Sequence, residues 1–520
     1  MSRKPVARWL SGLSWATACL LIPVWAQAPA QPGTGATALP NLGDGAEITL
    51  SAERSIGDRI ARELYRDPDF IEDPVLDEYI QSLWRPLVVR ALARGEMSPE
   101  MQERFAWKIL LGKDRSVNAF ALPGGYLGVH LGLISVVASR DELASVMAHE
   151  LSHVTQRHIA RSMNAQSRLT PLMIGSMILG VLAASKSPQS AQALIVGGQA
   201  AAIQSQLSFS RDMEREADRV GYGVMSEAGF DPQGFVSMFG KLQQASALND
   251  NGSFPYLRSH PMTTERMADM QARQQLLPAR PALRTPDLEH AMLSARARVL
   301  SQPGVDLLRS WTQEAAEPQL TGQPLTKQVN VLYGAVLAHM GLRDPAGAQR
   351  LVQRLVPLLQ NNAPAWRLLQ LLKAELAYQG GDMAGSLAAL AALPAAQAVQ
   401  RPELLARVQA RARQSPSTGL NEDLSQLRNW VQEHPADGQA WQVLAAGLMT
   451  QGRTLQSLRA EGEAQWARMD YSGAIDRFKA AQDWARKQQA LQGADHIEAA
   501  IVDARLRSVQ SLWREQLLER

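Results

Sequence analysis

Two histidines and a glutamate that could share a metal ion lie within five residues, His149-Glu150-Leu151-Ser152-His153. On a helix, His149 and His153 project from one face, about one turn or ~6 Å apart along the axis. Two imidazoles at that separation can bind one tetrahedral zinc ion at ~2.1 Å each. Glu150 points to the adjacent side, where it can take a proton from the attacking water and pass it to a leaving amine. Only nine histidines occur in 520 residues, which argues against a chance match, so the spacing predicts a zinc peptidase centre.

A second, acidic helix supplies the third protein ligand that catalytic zinc requires. It lies in residues 211–218, where Glu214 and Asp218 are four apart and share a face. We assign Glu214 to the metal, with one zinc ion per chain. We place Asp218 with Glu150 in the catalytic machinery, because Asp218 can accept a hydrogen bond from a ligand imidazole and orient it. The alternative for each acid is a solvated charged face.

The helix that carries the histidines is predicted to begin at Ser139. Ser139 can cap a helix, and Glu142 follows three residues later, as in a capping box. Apolar residues at spacings of three and four then form a stripe on this helix: Leu143, Met147, Leu151 and Val154.

Upstream of that helix, β-type runs at 107–111, 117–122 and 126–130 predict a small sheet or hairpin. Pro123-Gly124-Gly125 separates the last two runs and is typical of a tight turn. A peptidase of this kind binds its substrate as an extra strand on a sheet edge. We therefore expect Asn118 and Phe120 to lie on the substrate-binding edge; the alternative is an internal strand.

The first 26 residues have the layout of a secretory signal. Three basic residues and no acid precede an apolar run at 13–24, and the compact Val24 and Ala26 offer a cleavage site before Gln27. The alternative is an uncleaved anchor helix. The only cysteine, Cys19, lies inside the signal, so the exported protein needs no disulfide.

The net charge of the chain gives no support for a nucleic-acid partner. The chain carries 53 basic and 50 acidic side chains, and the signal holds three of the basic ones, which leaves 50 of each sign. A neutral exported chain gives no reason to expect nucleic-acid binding. Its 46% hydrophobic and 20% charged residues suit an ordinary globular protein.

Composition divides the exported chain into three parts. Residues 27–45 are rich in Ala, Gln, Pro, Gly and Thr and indicate a flexible leader. Residues 46–277 read as a mainly helical metallopeptidase domain. Prolines at 278, 281 and 286 mark a boundary, and 286–520 are rich in Ala, Leu and Gln with helical periodicity.

The last part contains a degenerate repeat. Asp344-Pro345-Ala346-Gly347-Ala348 is echoed 38 residues later by Asp382-Met383-Ala384-Gly385-Ser386. Apolar spacing in 471–481 resembles that of tetratricopeptide repeats, which stack helix pairs. The alternative is a plain helical bundle. The predicted fold class is mainly α: a gluzincin-type metalloprotease domain with a small sheet, then an all-α tetratricopeptide-like repeat domain.

An insert at 172–196 lies between the two metal helices. Residues 172–182 are almost purely apolar, Lys186, Ser187 and Pro188 interrupt the run, and residues 193–196 resume it. Each of its arms is too short to span a bilayer. One interpretation is a buried helical hairpin. The other is a lid or a surface that contacts the membrane peripherally or binds unfolded substrate.

The sequence H-E-L-S-H, followed by E-x-E-A-D-R-x-G, resembles the zinc metallopeptidases that include HtpX and the CaaX prenyl protease. The segment 118–125 before the metal helix and Ser259-His260-Pro261 after the second one are similar to the soluble periplasmic branch of that family. The repeat-like tail completes the resemblance.

The resemblance implies roles for individual residues. Glu150 would be the general base, and the zinc ligands would be His149, His153 and Glu214. His260 matches a family position that approaches the zinc and closes the site, as a regulatory or fourth metal contact; on its chemistry alone it could be a loop residue. His158 departs from the three-histidine metzincin pattern, and we expect a surface helix residue there.

The resemblance also implies a function. We expect a periplasmic endopeptidase that cleaves misfolded or stalled proteins. Its partners would be unfolded substrates, outer-membrane β-barrel precursors and their assembly machinery, engaged through the repeats. The alternative is a repeat-based chaperone or assembly adaptor in which proteolysis is secondary or latent.

Overall fold

The computed structural model describes residues 48–165, 209–247, 254–275, 286–301, 303–416, 418–488 and 493–518. The predicted signal peptide, the leader and the apolar insert at 172–196 lie outside these ranges. Among the helices that are described, none combines the length and apolar character needed to cross a membrane.

The chain enters the catalytic half through a helix, a short strand and two further helices. They are α1 (Leu50–Arg66), β1 (Phe70–Ile71), α2 (Pro74–Ala93) and α3 (Pro99–Arg104). Asp73 begins α2, because its side chain accepts a hydrogen bond from the Leu76 N–H and Pro74 needs no N–H partner in the first turn.

A four-stranded mixed sheet follows, and the predicted small sheet is confirmed. Its strands are β2 (Lys108–Gly112), β3 (Ala119–Leu122) and β4 (Tyr126–His130), in the order β1-β2-β4-β3. β3 and β4 form the expected antiparallel hairpin. The parallel pairing of β2 with β4 was not predicted. Gly125 turns the hairpin at φ +85°, where a Cβ atom would lie 2.9 Å from Phe105 Cβ.

Seven helices complete the described catalytic half. They are α4 (Leu131–Val136), α5 (Arg140–Thr155), α6 (His158–Ala165), α7 (Arg211–Glu227), α8 (Gln233–Ala247), α9 (Tyr256–Ser259) and α10 (Thr264–Gln275). α5 lies at the centre, since α2, α7, α8 and β3 all pack on it. Every residue from Asp141 to Thr155 is buried, so α5 is a core helix rather than a surface helix with one apolar stripe.

The start of α5 agrees with the predicted cap. Ser139 Oγ accepts a hydrogen bond from the Glu142 N–H at 3.2 Å. The Glu142 carboxylate reaches back to the N–H of Ala138, one residue before the position that a capping box uses.

The second half of the chain is all α-helical. Its helices are α11 (Leu288–Leu300), α12 (Val305–Glu314), α13 (Leu325–Gly341), α14 (Pro345–Leu359), α15 (Ala363–Gln379), α16 (Met383–Ala391), α17 (Ala395–Ala398), α18 (Arg401–Arg413), α19 (Leu420–Glu433), α20 (Gly438–Thr450), α21 (Thr454–Ala467), α22 (Tyr471–Lys487) and α23 (Ala494–Leu518). A 3₁₀ turn at Pro318–Gly322 joins α12 to α13. Neighbours along the chain pack on one another, as in stacked helix pairs.

The repeated Asp-x-x-Gly motif begins successive helices. The Asp344 carboxylate accepts a hydrogen bond from the N–H of Gly347, and Asp382 does the same with Gly385. Asp470, which begins α22, repeats the arrangement. The motif therefore marks helix starts in a repeat domain, and the repeat prediction is confirmed at the level of stacked helices.

One apolar core crosses the predicted domain boundary. It runs without a break from Val75 in α2 through the sheet and α5 to Leu390 in α16. Helix α11 packs on α4 and α2 of the catalytic half as well as on α13. The boundary at 278–286 remains a prediction, because residues 276–285 lie outside the described ranges.

Ion pairs join the first turns of α2 to the repeat helices. Four acids in seven residues each face an arginine of the second half: Glu72 with Arg468, Asp73 with Arg296, Asp77 with Arg401 and Glu78 with Arg367. The most buried is the bidentate pair of Arg296 with Asp73, at 2.6 and 2.9 Å. Burial would raise the pKa of Asp73, but the charge and hydrogen bonds of Arg296 lower it overall.

We expect Arg296→Met to lower the free energy of unfolding by about 3–5 kcal/mol at pH 7, because it leaves the Asp73 carboxylate buried without a cation. The contribution of this pair is present above the ordinary Asp pKa of 3.8 and is lost as the pH falls through the lowered folded-state pKa. Urea unfolding at stepped pH measures both effects.

Arg309→Met is the matched control, because the side chains of Arg309 and its partner Asp306 are 67% and 100% exposed. It should leave the unfolding midpoint unchanged. Equal effects of the two substitutions would contradict a joining role for the buried pair.

Candidate metal centre

The predicted ligands meet at one point on the inner side of α5. His149 Nε2 and His153 Nε2 are 2.9 Å apart. Glu214 lies in the first turn of α7. Its Oε2 is 3.5 Å from His149 Nε2, and its Oε1 is 3.5 Å from His153 Nε2. His260, which ends α9, brings Nδ1 to 2.9 Å from Glu214 Oε1 and 3.3 Å from His149 Nε2.

These four side chains form a cluster that could hold a metal ion, with nitrogen and oxygen atoms that all lie within 4.8 Å of one another. Each is at most 2% exposed. Ligands of a tetrahedral zinc ion at ~2.1 Å would be about 3.4 Å apart, close to the observed separations. The arrangement therefore has the dimensions of one metal site.

The proton positions also favour a cation. His149 Nδ1 lies 2.9 Å from Asp218 Oδ1, and a carboxylate can only accept, so we assign the proton of His149 to Nδ1. Its Nε2 lone pair then faces the carboxylate of Glu214 and the ring nitrogen of His153. Converging lone pairs repel unless a cation lies between them, and the residues fit a bound divalent metal.

Close packing of α7 on α5 brings the acids to the histidines. Gly221 lies four residues beyond Ala217 on the α7 face that meets α5. A Cβ atom at Gly221 would lie 3.0 Å from the Ala148 carbonyl oxygen and 3.1 Å from His149 N. Such spacing is tighter than ordinary contact, so a side chain here would push α7 and its carboxylates away from the ligands.

The carboxylates shift the pKa values of the histidines. Burial would lower the pKa of His149, but its hydrogen bonds to Asp218 and Glu214 raise that pKa to about 9. Burial and the neighbouring charges of His149 and His260 hold the pKa of His153 well below its usual range. Burial would raise the pKa of Glu214, yet the charge of His260 and hydrogen bonds from His149 and His260 lower it. The site thus attracts positive charge.

Glu150 lies between the ligand cluster and the sheet. It is fully buried, its Oε2 accepts a hydrogen bond from the Ala121 N–H of β3 at 3.0 Å, and its Oε1 is 3.3 Å from His260 Nε2. The carboxylate therefore adjoins the ligands without using a ligand position, as the helix geometry predicted.

Asp218 lies behind His149, away from the point where the ligands meet. Besides His149 it contacts Arg266, whose Nε and Nη2 donate to its two oxygens at 2.6 and 2.8 Å. Asp218 thus lies 2.9 Å from the His149 imidazole, on the side away from the cluster's centre. That it orients this imidazole for a metal remains a prediction.

Arg266 was missed by the sequence analysis. It is 4% exposed, and Nη1 lies 2.8 Å from Glu214 Oε2 while the same atom donates to the Pro261 carbonyl. One guanidinium on α10 thereby contacts both Glu214 and Asp218 of α7. Its spacing of six residues from His260 corresponds to no ligand pattern, so only the need to neutralise buried carboxylates could have suggested it.

Two aromatic rings line the cluster and were also missed. Phe209, just before α7, stacks on His153 with ring centroids 3.8 Å apart. Tyr256 stacks on His260 at 4.5 Å. These rings fix the planes of two imidazoles and exclude water from one side of the site.

The prediction of a surface position for His158 was wrong. Its side chain is 0% exposed, and its Nδ1 lies 2.8 Å from His153 Nδ1. The position five residues after His153 does not lie on the same helix as His153. α5 ends at Thr155, and Arg157 turns the backbone with φ +52° before α6 begins at His158.

β3 is the end strand of the sheet, as the edge prediction required. The Asn118 carbonyl accepts a hydrogen bond from the His130 N–H, so its backbone is engaged with the neighbouring strand. Backbone groups alternate along an antiparallel strand, and the Ala121 N–H points to Glu150. The outward-facing backbone therefore belongs to Ala119 and Ala121 rather than to the predicted Asn118 and Phe120.

The sequence matches the profile of peptidase family M48 over residues 80–274. A putative beta-barrel assembly-enhancing protease of Vibrio cholerae is 34% identical over 324 residues, 61% of this chain and 63% of that protein. The beta-barrel assembly-enhancing protease of Yersinia pestis is 31% identical over 433 residues, 82% and 83% of the two chains. That of Escherichia coli K12 is 32% identical over 335 residues, 63% and 64%. The matches thus span just under two thirds of the first and third relatives.

We expect metal binding to release about one proton per ion between pH 7 and 8. The raised pKa of His149, about 9, means that the metal-free imidazole is protonated at neutral pH and must lose that proton to bind. Calorimetric titration of zinc into metal-free protein, in two buffers of different ionisation enthalpy, measures the release.

The release should fall away as the pH rises above 9, when His149 is already neutral. Binding at pH 7.5 with no dependence on the buffer would show that the carboxylates do not hold a proton on this ligand.

Proposed function

We propose that this chain, which belongs to peptidase family M48 and, within it, to the β-barrel assembly-enhancing proteases, is a zinc-dependent endopeptidase of protein quality control in the periplasm. The family makes it a metalloendopeptidase. The observation that carries the proposal is the buried cluster of His149, His153, Glu214 and His260 beside the carboxylate of Glu150.

Zinc is the metal that this donor set suits best. Two imidazoles and one carboxylate, with a further position available, are the ligands of catalytic zinc. His149, His153 and Glu214 would hold the ion, one per chain. Zinc bound there supplies a Lewis acid for peptide-bond hydrolysis.

Glu150 acts as the general base in this proposal. Its Oε1 faces His260 and the cluster, so it can accept a proton from the attacking water and hand it to the nitrogen of the leaving amine. Its other oxygen is anchored to β3 through Ala121. Asp218 and Arg266 do not take part in proton transfer; they hold His149 and Glu214 in place.

Substrate binds in extended form along β3. An added strand would pair with the outward-facing N–H and C=O groups of Ala119 and Ala121 and would displace Glu150 from the Ala121 N–H, which places the substrate backbone beside the freed carboxylate. Asn118 and Phe120 then flank the substrate, and the Phe120 ring lies over Gly128 on one face of the sheet. Recognition through backbone groups suits unfolded polypeptides of varied sequence.

His260 closes the site at rest. It contacts both Glu214 and Glu150, so it lies where the attacking water must enter between the metal and the base. Stacking on Tyr256 holds its ring in that position.

The natural substrates are misfolded or stalled outer-membrane β-barrel proteins. The relatives' names support this assignment, and the predicted signal peptide supports the periplasm. The repeat domain would bind the assembly machinery, because stacked helix pairs present extended binding surfaces. Peripheral membrane contact through 172–196 belongs to the same proposal.

A second function, as a chaperone or assembly adaptor, is favoured by the size of the helical half and its shared core with the catalytic half. Its test is an inactive variant. If Glu150→Gln no longer cleaves but still suppresses aggregation of an unfolded outer-membrane β-barrel protein, the chain has both functions. Loss of both would assign the effect to cleavage alone.

We expect Glu150→Gln to reduce casein cleavage by at least about a hundredfold, the usual contribution of a general base, while zinc stoichiometry stays near one. Glu142→Gln is the control, because Glu142 is a buried glutamate of the same helix that pairs with Lys241. That variant should lose stability but retain cleavage. Undiminished cleavage by Glu150→Gln would contradict the proposed role of Glu150 as general base.

We expect His260→Ala to raise the initial rate of casein cleavage at equal zinc occupancy, because removing the ring opens the space beside Glu150. His434→Ala, which removes a histidine stacked on Trp430 in the repeat domain, should leave the rate unchanged. A lower rate for His260→Ala would mean that this imidazole assists the reaction instead of closing the site.

A further inference from the structure

His158 is a buried histidine with two defined hydrogen-bonding partners. It opens the short helix α6, directly behind the ligand His153. Its Nδ1 lies 2.8 Å from His153 Nδ1, and its Nε2 lies 3.0 Å from Glu216 Oε2. Nothing in the proposed proton transfer uses this side chain.

Glu216 ends a series of hydrogen bonds that runs from His153 through His158, and its carboxylate determines which nitrogen carries the proton in each ring. A carboxylate only accepts, so the proton of His158 lies on Nε2 and is donated to Glu216. His158 Nδ1 is then an acceptor, and the proton facing it must lie on His153 Nδ1. His153 is thereby left with its lone pair on Nε2, the atom that faces His149 and Glu214.

Glu216 is itself held in place. Its Oε2 also accepts from Arg161 Nη1 at 2.8 Å, and its side chain is 27% exposed. Its Oε2 therefore faces two donors, and Glu216 is the acceptor that ends this series of hydrogen bonds.

Helix α7 therefore supports both histidine ligands with acids two residues apart. Asp218 Oδ1 lies 2.9 Å from His149 Nδ1 with no residue between them. Glu216 reaches His153 through one intervening imidazole. Carboxylates behind metal-bound histidines fix the ring's tautomer and orientation and raise its basicity, and their loss commonly costs 10–100-fold in metal affinity.

We propose that His158 and Glu216 are positioning residues that present His153 to the metal in its binding tautomer. This inference rests on the proposed zinc site. It assigns a role to the i,i+5 histidine, which links Glu216 to His153 through its two ring nitrogens.

The test measures zinc affinity of the full-length protein at equilibrium, by competition with a fluorescent chelator. We expect His158→Leu, which keeps the ring's approximate volume but neither hydrogen bond, to weaken zinc binding by about 10–100-fold. His158→Gln keeps one acceptor and one donor, and should restore affinity to within a few-fold of the wild type.

His290→Leu is the matched control. His290 is also buried, at 2% exposure, and also makes two hydrogen bonds, to Tyr79 and to the Val137 carbonyl. It should lower the melting temperature and leave zinc affinity unchanged. Equal affinity losses for His290→Leu and His158→Leu would show general destabilisation and overturn the inference.

Glu216 provides a test that does not depend on changing His158 alone. Glu216→Ala should weaken zinc binding several-fold. Adding it to His158→Leu should cause no further loss of zinc affinity, because both residues act through the same series of hydrogen bonds. Additive losses would separate the two residues and contradict the relay.

The outcomes distinguish this inference from the proposed function. A wild-type protein that binds no stoichiometric zinc removes the proposed function and the inference together. Stoichiometric zinc in the wild type with undiminished affinity in His158→Leu removes only the inference.

Discussion

Three carboxylates are buried within one small site, and the free energy of removing them from water constrains everything around them. Glu150, Glu214 and Asp218 are each at most 1% exposed. Burying one unpaired charge costs several kcal/mol even after relaxation. Arg266 contributes one positive charge, and a divalent ion contributes two, so the filled site is neutral. The carboxylates raise the pKa of His149 to about 9, so without the ion a proton on His149 would offset part of the negative charge.

That balance depends on helices held at close range. α5 can carry polar ligands because it is packed on every side, and Gly221 lets α7 approach its backbone within contact distance. The sheet then brings the N–H of Ala121 to Glu150. The apolar core that fixes these elements continues into the repeat helices, and arginines of those helices hold the start of α2. The catalytic and repeat halves therefore stabilise each other.

What the sequence predicted was local. Histidines four apart on one helix, an acid pair four apart on another, the Ser139 cap and the Gly-Gly hairpin all depend on spacings within a few residues. Arg266, Phe209 and the burial of His158 depend on how distant segments meet, and no spacing encodes that. The same holds for the parallel pairing of β2 with β4, since a crossover leaves no mark in the strand sequences. His158 was misplaced because a helix was assumed to continue past Thr155.

The hydrogen bond between Ala121 and Glu150 has a consequence for the order of events. In the proposed function an incoming strand pairs with the Ala121 N–H, and in the structure the Glu150 carboxylate already accepts from that group. A polypeptide that pairs with β3 must therefore displace Glu150 from its anchor. In the proposed function, docking of a polypeptide and release of Glu150 are then a single exchange of hydrogen bonds at Ala121. Folded proteins, which offer no free strand, would leave the base tethered.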